Sequence, residues 1–449
     1  MSPSPPSTSP HRARGKSLGL TELVAIALGG MVGGGIFTIL GISVALVGIW
    51  TPVVIVLGGL LAALAAYSYI KLGVYYRDEG ATYSFFKRTF PRSSFAAALI
   101  GWWVIFGYIS TLALYAYTFA SYAMSSTGFA DDVWVRKAVA GGIIGIFTLI
   151  NVWSVRGMGR IEDLMVYTKL VILAVVSFVL INNSQTSLPA LVSEQGSRGV
   201  WAIPMVAAMT FVAYEGFQLV INAVNEMDAP ERNIPRAIYA AIFLAVVVYV
   251  AISLGAILAI PFDDIIANKE YALASGAEEV LGHWGTELVI AGALLATSSA
   301  ISGTVFGASR QMAVIAEDGY LPAVLRRPAG GNPIAAILAM SALAFVLILV
   351  GSLEVILEFG SVTFLLVSLL MAYANLRIRD RTGSSLVTAV LALVGLLVGT
   401  VLILGYELMN QPEQLAFIVA LYVVLTLGAF LFSTLRRGSG SPPTDQEAS

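Results

Sequence analysis

Cysteine is absent from the 449 residues, which excludes disulfides and thiolate metal ligands without identifying a compartment. There are two histidines, His11 and His283, too few and too far apart for a metal centre. Charge is scarce as well. Asp, Glu, Lys and Arg make up 12% of the chain, against about 25% in a soluble domain. The net charge of −2 argues for no nucleic-acid partner. No G-x-x-x-x-G-K-S/T run occurs, so the chain offers no nucleotide-binding loop of its own. Neither a nucleophile–base pair nor a metal-ligand constellation is visible, so an enzyme is disfavoured and no cofactor is implied.

What the chain has is apolar length. Hydrophobic residues make up 58% of it, in stretches near 20 residues or longer, enough for helical membrane spans rather than barrel strands. Twelve such segments lie near 21–47, 53–74, 97–124, 138–154, 163–182, 200–224, 237–260, 285–315, 333–351, 355–376, 386–406 and 414–434. The expected fold is therefore all-α and integral to the membrane, with twelve transmembrane helices. The ends, 1–17 and 437–449, are rich in Ser, Pro and Gly and read as disordered tails. The first span is too long for the apolar region of a signal peptide.

Lysine and arginine set the orientation. With the N-terminus inside, Arg136, Lys137, Arg198 and Lys269 fall outside and Lys169 falls within a span; the other basic residues lie on the inner side. The positive-inside rule then makes both tails cytoplasmic and points to the cell membrane. The outer loop between spans 7 and 8 is acidic. Its stretch Ala272 to Leu281 has helical spacing, consistent with a short helix on the outer mouth or with a solvated loop.

Gly33, Gly34 and Gly35 stand together inside span 1. Each glycine in a helix interior costs about 1 kcal/mol relative to alanine, so three invite the helix to open. Gly29/Gly33 and Gly30/Gly34 also make GxxxG spacing, which packs helices without opening them. Span 6 carries Glu215 and Gly216 at its centre, 14 residues after Trp201, at a depth like that of the glycines in span 1. Interruptions five spans apart are the signature of an inverted repeat, here expected over 18–200 and 201–380, with spans 11 and 12 (381–436) outside it.

These segments resemble the amino acid–polyamine–organocation permeases. Gly30-Met31-Val32-Gly33-Gly34-Gly35-Ile36-Phe37 is similar to the family's G-x-G-I-F signature. Tyr214-Glu215-Gly216-Phe217 is followed by Pro230-Glu231-Arg232-Asn233-Ile234-Pro235-Arg236-Ala237. Asn151, Gly157, Gly159 and Arg160 after span 4 are family-like. So are Arg310 to Ala313 and Asp318-Gly319-Tyr320-Leu321-Pro322 after span 8. The resemblance covers about residues 17 to 435.

It implies a leucine-transporter-type fold with a 5+5 inverted repeat, broken helices 1 and 6, and alternating access to a central amino acid or amine site. Amides around Gly33, Gly34 and Gly35 would hold the substrate carboxylate. Carbonyls near Gly30 and Met31, and those of Phe211, Val212 and Tyr214, would accept from its ammonium. Tyr214 matches the aromatic gate.

Lys169 in span 5 either snorkels to the interface or faces the bundle. In the second case it reaches the opened carbonyls of span 1 and the hydroxyl cluster Thr297, Ser298, Ser299 and Ser302. In proton-coupled members of the family a lysine in this place occupies the position where sodium-coupled relatives hold an ion, which favours a proton-coupling role for Lys169 with Ser298 and Ser299. Glu215 departs from the family pattern, which has its acid where Gln218 stands here. It is open to binding a cationic amine, carrying a proton or making a structural hydrogen bond. Glu358 in span 10 reads as interfacial. Trp102, Trp103, Tyr108, Tyr115 and Tyr117 in span 3 either line the site or pack. The leading expectation is a proton-coupled secondary amino acid transporter taking a small-molecule substrate. An amino acid/polyamine exchanger and a transporter-like sensor are the alternatives. The oligomeric state is unreadable.

Overall fold

The computed structural model describes residues 18–438 apart from 79, 154–157, 196–198, 276 and 329–330. Most of the two expected tails, Gly157 and Arg198 lie outside the described residues, as do the side chains of Arg160, Glu278 and Glu279. The described chain is helical, and among these residues the only β-type pairing is an isolated bridge between Leu18 and Met227. Among the described residues ten helical stretches are long and apolar enough to cross a membrane, Gly34–Tyr76 and Val200–Asn222 each counted as one, and Leu20–Met31 and Ile334–Val350 are shorter apolar helices.

The first interruption falls between α1 (Leu20–Met31) and α2 (Gly34–Val47). Then come α3 (Thr51–Tyr76), α4 (Ala81–Thr89), α5 (Ser94–Met124), α6 (Val133–Trp153), α7 (Met158–Asn182) and the short α8 (Leu188–Gln195). The second interruption follows α9 (Ile203–Met209) and a 3-10 turn over Thr210–Tyr214, and ends at α10 (Leu219–Asn222). The long α11 (Pro230–Ala259) leads into α12 (Phe262–Ala267) and α13 (Ala272–Ser275). After α14 (Ala277–Glu317) come α15 (Ile334–Val350), α16 (Leu353–Arg377), α17 (Arg379–Thr382), α18 (Leu386–Asn410) and α19 (Pro412–Gly438).

Helix starts follow the sequence. Ser93, Ser352 and Ser385 cap α5, α16 and α18 by accepting from the backbone N–H three residues on. Pro52 and Pro230 stand in the first turns of α3 and α11, where a missing N–H costs nothing. Burial sorts the helices into centre and rim. In α16, 83% of the apolar window is buried inside the protein, against 17% in α19. The rim helices turn Phe, Leu and Val outward, as a lipid solvent requires.

Neither sequence reading of the glycine triplet suffices alone. The opening sits at Val32 and Gly33, and Gly34 and Gly35 already belong to α2. A Cβ on Gly34 would meet Tyr115 and Thr118 at 3.0 and 3.1 Å, and one on Gly35 would meet the Ala213 Cα at 2.9 Å. One glycine supplies the break and the next two supply close approach.

The segment 262–275 is two short helices that pack against α2 and α14 rather than a solvated loop. The Lys269 backbone lies on Gly41, leaving no room for a side chain there. Arg136, buried at the start of α6, pairs with Glu270, and Lys269 pairs with Glu354. The helix expected from Ala272 to Leu281 is α13 followed by the first turns of α14, which bends at Gly282 where φ is +66°. Glu358 is a correction: it is buried, not interfacial, because α16 turns it toward α18.

Candidate functional site

The two interruptions meet. Gly216 has φ +119°, a conformation that side chains resist. A Cβ there would lie 2.8 Å from both the Gly30 Cα and the Met31 nitrogen. A Cβ on Gly30 would in turn stand 3.0 Å from the Gly216 Cα. The broken backbones therefore cross in direct contact, with no side chain between them.

Opening a helix strands carbonyls that need donors. The Tyr249 hydroxyl of α11 lies 2.7 Å from the Met31 oxygen and 2.9 Å from the Ala213 oxygen, so one group serves both interruptions. The Tyr115 hydroxyl of α5 donates to the Gly30 oxygen at 3.3 Å. Lys169 of α7, fully buried, donates to the oxygens of Gly29 at 3.0 Å and Val32 at 2.6 Å, and to Ser299 Oγ of α14 at 3.1 Å. Ser298, next to Ser299, is half-buried.

A narrow cavity of about 30 Å³ opens beside this crossing. Gly29, Gly30, Glu215 and Gly216 form its floor. Its walls come from Tyr108 and Tyr115 of α5, Ser299 and Thr304 of α14, Leu219 of α10 and Phe364 of α16, among others. Glu215 Oε2 accepts from Gln218 Nε2 at 2.8 Å, and the same amide reaches the Tyr108 hydroxyl at 3.2 Å. Glu215 Oε1 is buried and has no hydrogen-bond partner among the described residues. It is the acceptor that the cavity leaves open.

The expected site residues fall into two groups. Gly30, Glu215 and Ser299 line the cavity, and Lys169 stands behind it. Gly33, Gly34, Gly35, Met31, Phe211, Val212 and Tyr214 do not line it. The Tyr115 ring occupies the space where side chains on Gly33 and Gly34 would stand, and the Gly33 N–H is already taken by the Met31 oxygen at 2.9 Å. Tyr214 is fully buried and donates to the Ile55 oxygen at 2.7 Å, away from the cavity. On that side the bundle is closed, with the Thr38 and Thr118 hydroxyls bonded at 2.8 Å and Phe37 set edge-on to Tyr122.

Of the span-3 aromatics, Tyr108 and Tyr115 line the cavity. Trp102 donates to the Tyr320 oxygen, Trp103 packs on Tyr422, and Tyr117 lies by Arg136 and Glu270. Sequence reasoning missed Tyr249 and Glu407. A tyrosine inside an apolar span carries no sign of which carbonyl it will meet. Glu407, near a helix end, reads like any interfacial acid.

A sequence profile of the amino acid permeases matches residues 18–430. The chain belongs to that family. The permease is 31% identical to the inner membrane transport protein YbaT of Escherichia coli K12 over 89% of its own length and 92% of that protein. It is 24% identical to the branched-chain amino acid permease BcaP of Bacillus subtilis, covering 71% of each. Among solved structures, a manganese transporter of Eremococcus coleocola superposes with a TM-score of 0.60 at 14% identity, covering 93% of both chains. That likeness is one of fold alone. The permease is thus a multi-pass membrane transporter of amino acids or related organic molecules, not an enzyme.

Proposed function

We propose that this permease carries amino acids across the cell membrane by alternating access, coupled to protons through Lys169. The observation that carries this reading is the position of Lys169: a buried ammonium bonded at once to the last turn of α1, to the opened backbone at Val32 and to α14. Losing its proton would leave two N–H donors for the Gly29, Val32 and Ser299 oxygens and loosen α1 against α14. Proton and backbone opening are then one event.

In this reading the chain has twelve spans, a 5+5 inverted repeat and both tails in the cytoplasm, so the cavity opens inward. The substrate amine turns to Glu215 Oε1, the open acceptor. The carboxylate goes to the first-turn amides of α2, whose dipole favours an anion. Tyr115 must swing away for the carboxylate to arrive, which makes its ring the barrier between two substrate positions. The unpartnered Glu215 oxygen also supports a second reading, exchange of amino acids for cationic amines.

The test is uptake of labelled amino acids by reconstituted liposomes. An inwardly directed proton gradient should drive accumulation without sodium. Uptake that follows a sodium gradient and ignores pH would overturn the coupling role of Lys169. Binding without counterflow exchange would mean a sensor.

A further inference from the structure

Two buried carboxyls take no part in this site. Glu358 lies five residues into α16, and Glu407 three residues before the end of α18, and these two helices pack together. Glu358 is 4% exposed and Glu407 is 0% exposed. Their carboxyls lie against each other across the helix contact. Both Glu407 oxygens, and Oε2 of Glu358, have no N–H or O–H donor among the described residues. The other ionisable groups facing the pair are Glu354 on α16, Tyr406 on α18 and Lys269 from the segment between α12 and α13. Lys269 is engaged by Glu354.

Two bare carboxylates in contact repel, and each has left its hydration behind without a replacement. One proton held between them removes the repulsion and gives each carboxyl a strong partner. A divalent ion such as calcium takes about six to eight oxygens, whereas this pair supplies four at most.

We propose that Glu358 and Glu407 share a single proton and form a proton-binding site separate from Lys169, loaded from the face that carries Lys269 and Glu354. Because the pair bridges α16 and α18, its loss would place a second negative charge between them. α16 is also joined to the first half of span 6, where the Ser361 hydroxyl contacts the Met209 oxygen at 3.0 Å.

The experiment is infrared spectroscopy of the full-length protein in liposomes across a pH titration, for wild type, E358Q, E407Q and E358Q/E407Q. Each is recorded in sodium-free buffer and again with sodium or potassium. Wild type minus the double variant should show one neutral-carboxyl C=O band, retained in K169A. Each single variant should lose that band or shift its titration to lower pH. These single variants decide the matter if the double variant does not fold. The absence of any such band would overturn the proposal, and thermal stability that then rises with sodium or potassium would identify a cation in the proton's place.

Discussion

The Tyr249 hydroxyl oxygen lies 2.7 Å from the carbonyl oxygen of Met31, the last residue before α1 breaks. The same hydroxyl lies 2.9 Å from the Ala213 oxygen, so α11 pins both interruptions through one atom. Tyr249→Phe keeps the ring and removes that atom. The two carbonyls then lose the one O–H they share, worth about 1–3 kcal/mol, although the Met31 oxygen keeps the Gly33 N–H. The expected result is a lower melting temperature in detergent and slower uptake, with helix content unchanged. An unaltered melting temperature would show that the hydroxyl is idle.

Lys169→Met should preserve the volume of the side chain and abolish its charge. Gradient-driven uptake is expected to fall to background, while exchange of labelled for unlabelled substrate survives in part. Lys169→Arg should not rescue it, because a guanidinium keeps its proton at all accessible pH and fits a pocket of two carbonyls and one hydroxyl poorly. Uptake measured against pH gradients of both signs separates these outcomes. In wild type, rates should rise as the outer face is made more acidic than the interior. The Lys169→Met variant should lose that slope.

Gly216→Ala should be among the most damaging small substitutions in the chain. Its φ of +119° resists a side chain, and the new methyl would press on the Gly30 backbone at under 3 Å. Gly142→Ala is the control: a Cβ there meets nothing within 4 Å, and α6 gains about 1 kcal/mol of helix propensity. Expression with thermal stability should fall sharply for the first and hold for the second. Equal stability would mean that the crossing can open at no cost.

Glu215→Gln tests the open acceptor. The amide keeps a group beside Gln218 but can no longer offer a carboxylate to a bound cation. If Oε1 receives the substrate amine, binding of cationic substrates should weaken by more than tenfold, about 1.4 kcal/mol, with neutral ones affected less. A thermal-shift screen against amino acids and polyamines checks this and identifies the substrate.

The architecture was readable because a lipid solvent writes itself into composition. Long apolar runs, the interruptions at Gly33 and Glu215, and several motifs in order left few other readings. The neighbourhood of Lys169 was readable for a similar reason: a buried ammonium needs oxygens, and an opened helix supplies them. The roles of Gly34 and Gly35 were less legible, since a glycine that bends the chain and one that admits a neighbour look alike in sequence. The environment of Glu358 was hidden until its partner was known, because Glu407 lies 49 positions away on another helix. Tyr214 and Tyr249 face each other with ring centroids 5.4 Å apart, yet only the second meets both broken strands of backbone. Such choices are set by helix rotation, which hydropathy does not record.

The crossing of Gly30 and Gly216 places peptide atoms, common to every residue, at the bottom of the cavity. Variation cannot rewrite what is the same in all twenty amino acids. Changes of cargo must therefore come from the side chains around it, Glu215 beside the crossing and Tyr108, Thr304 and Phe364 on the walls. The chain thus divides inheritance in two: a fixed grip at the bottom, and a lining that a lineage can revise without rebuilding the transporter.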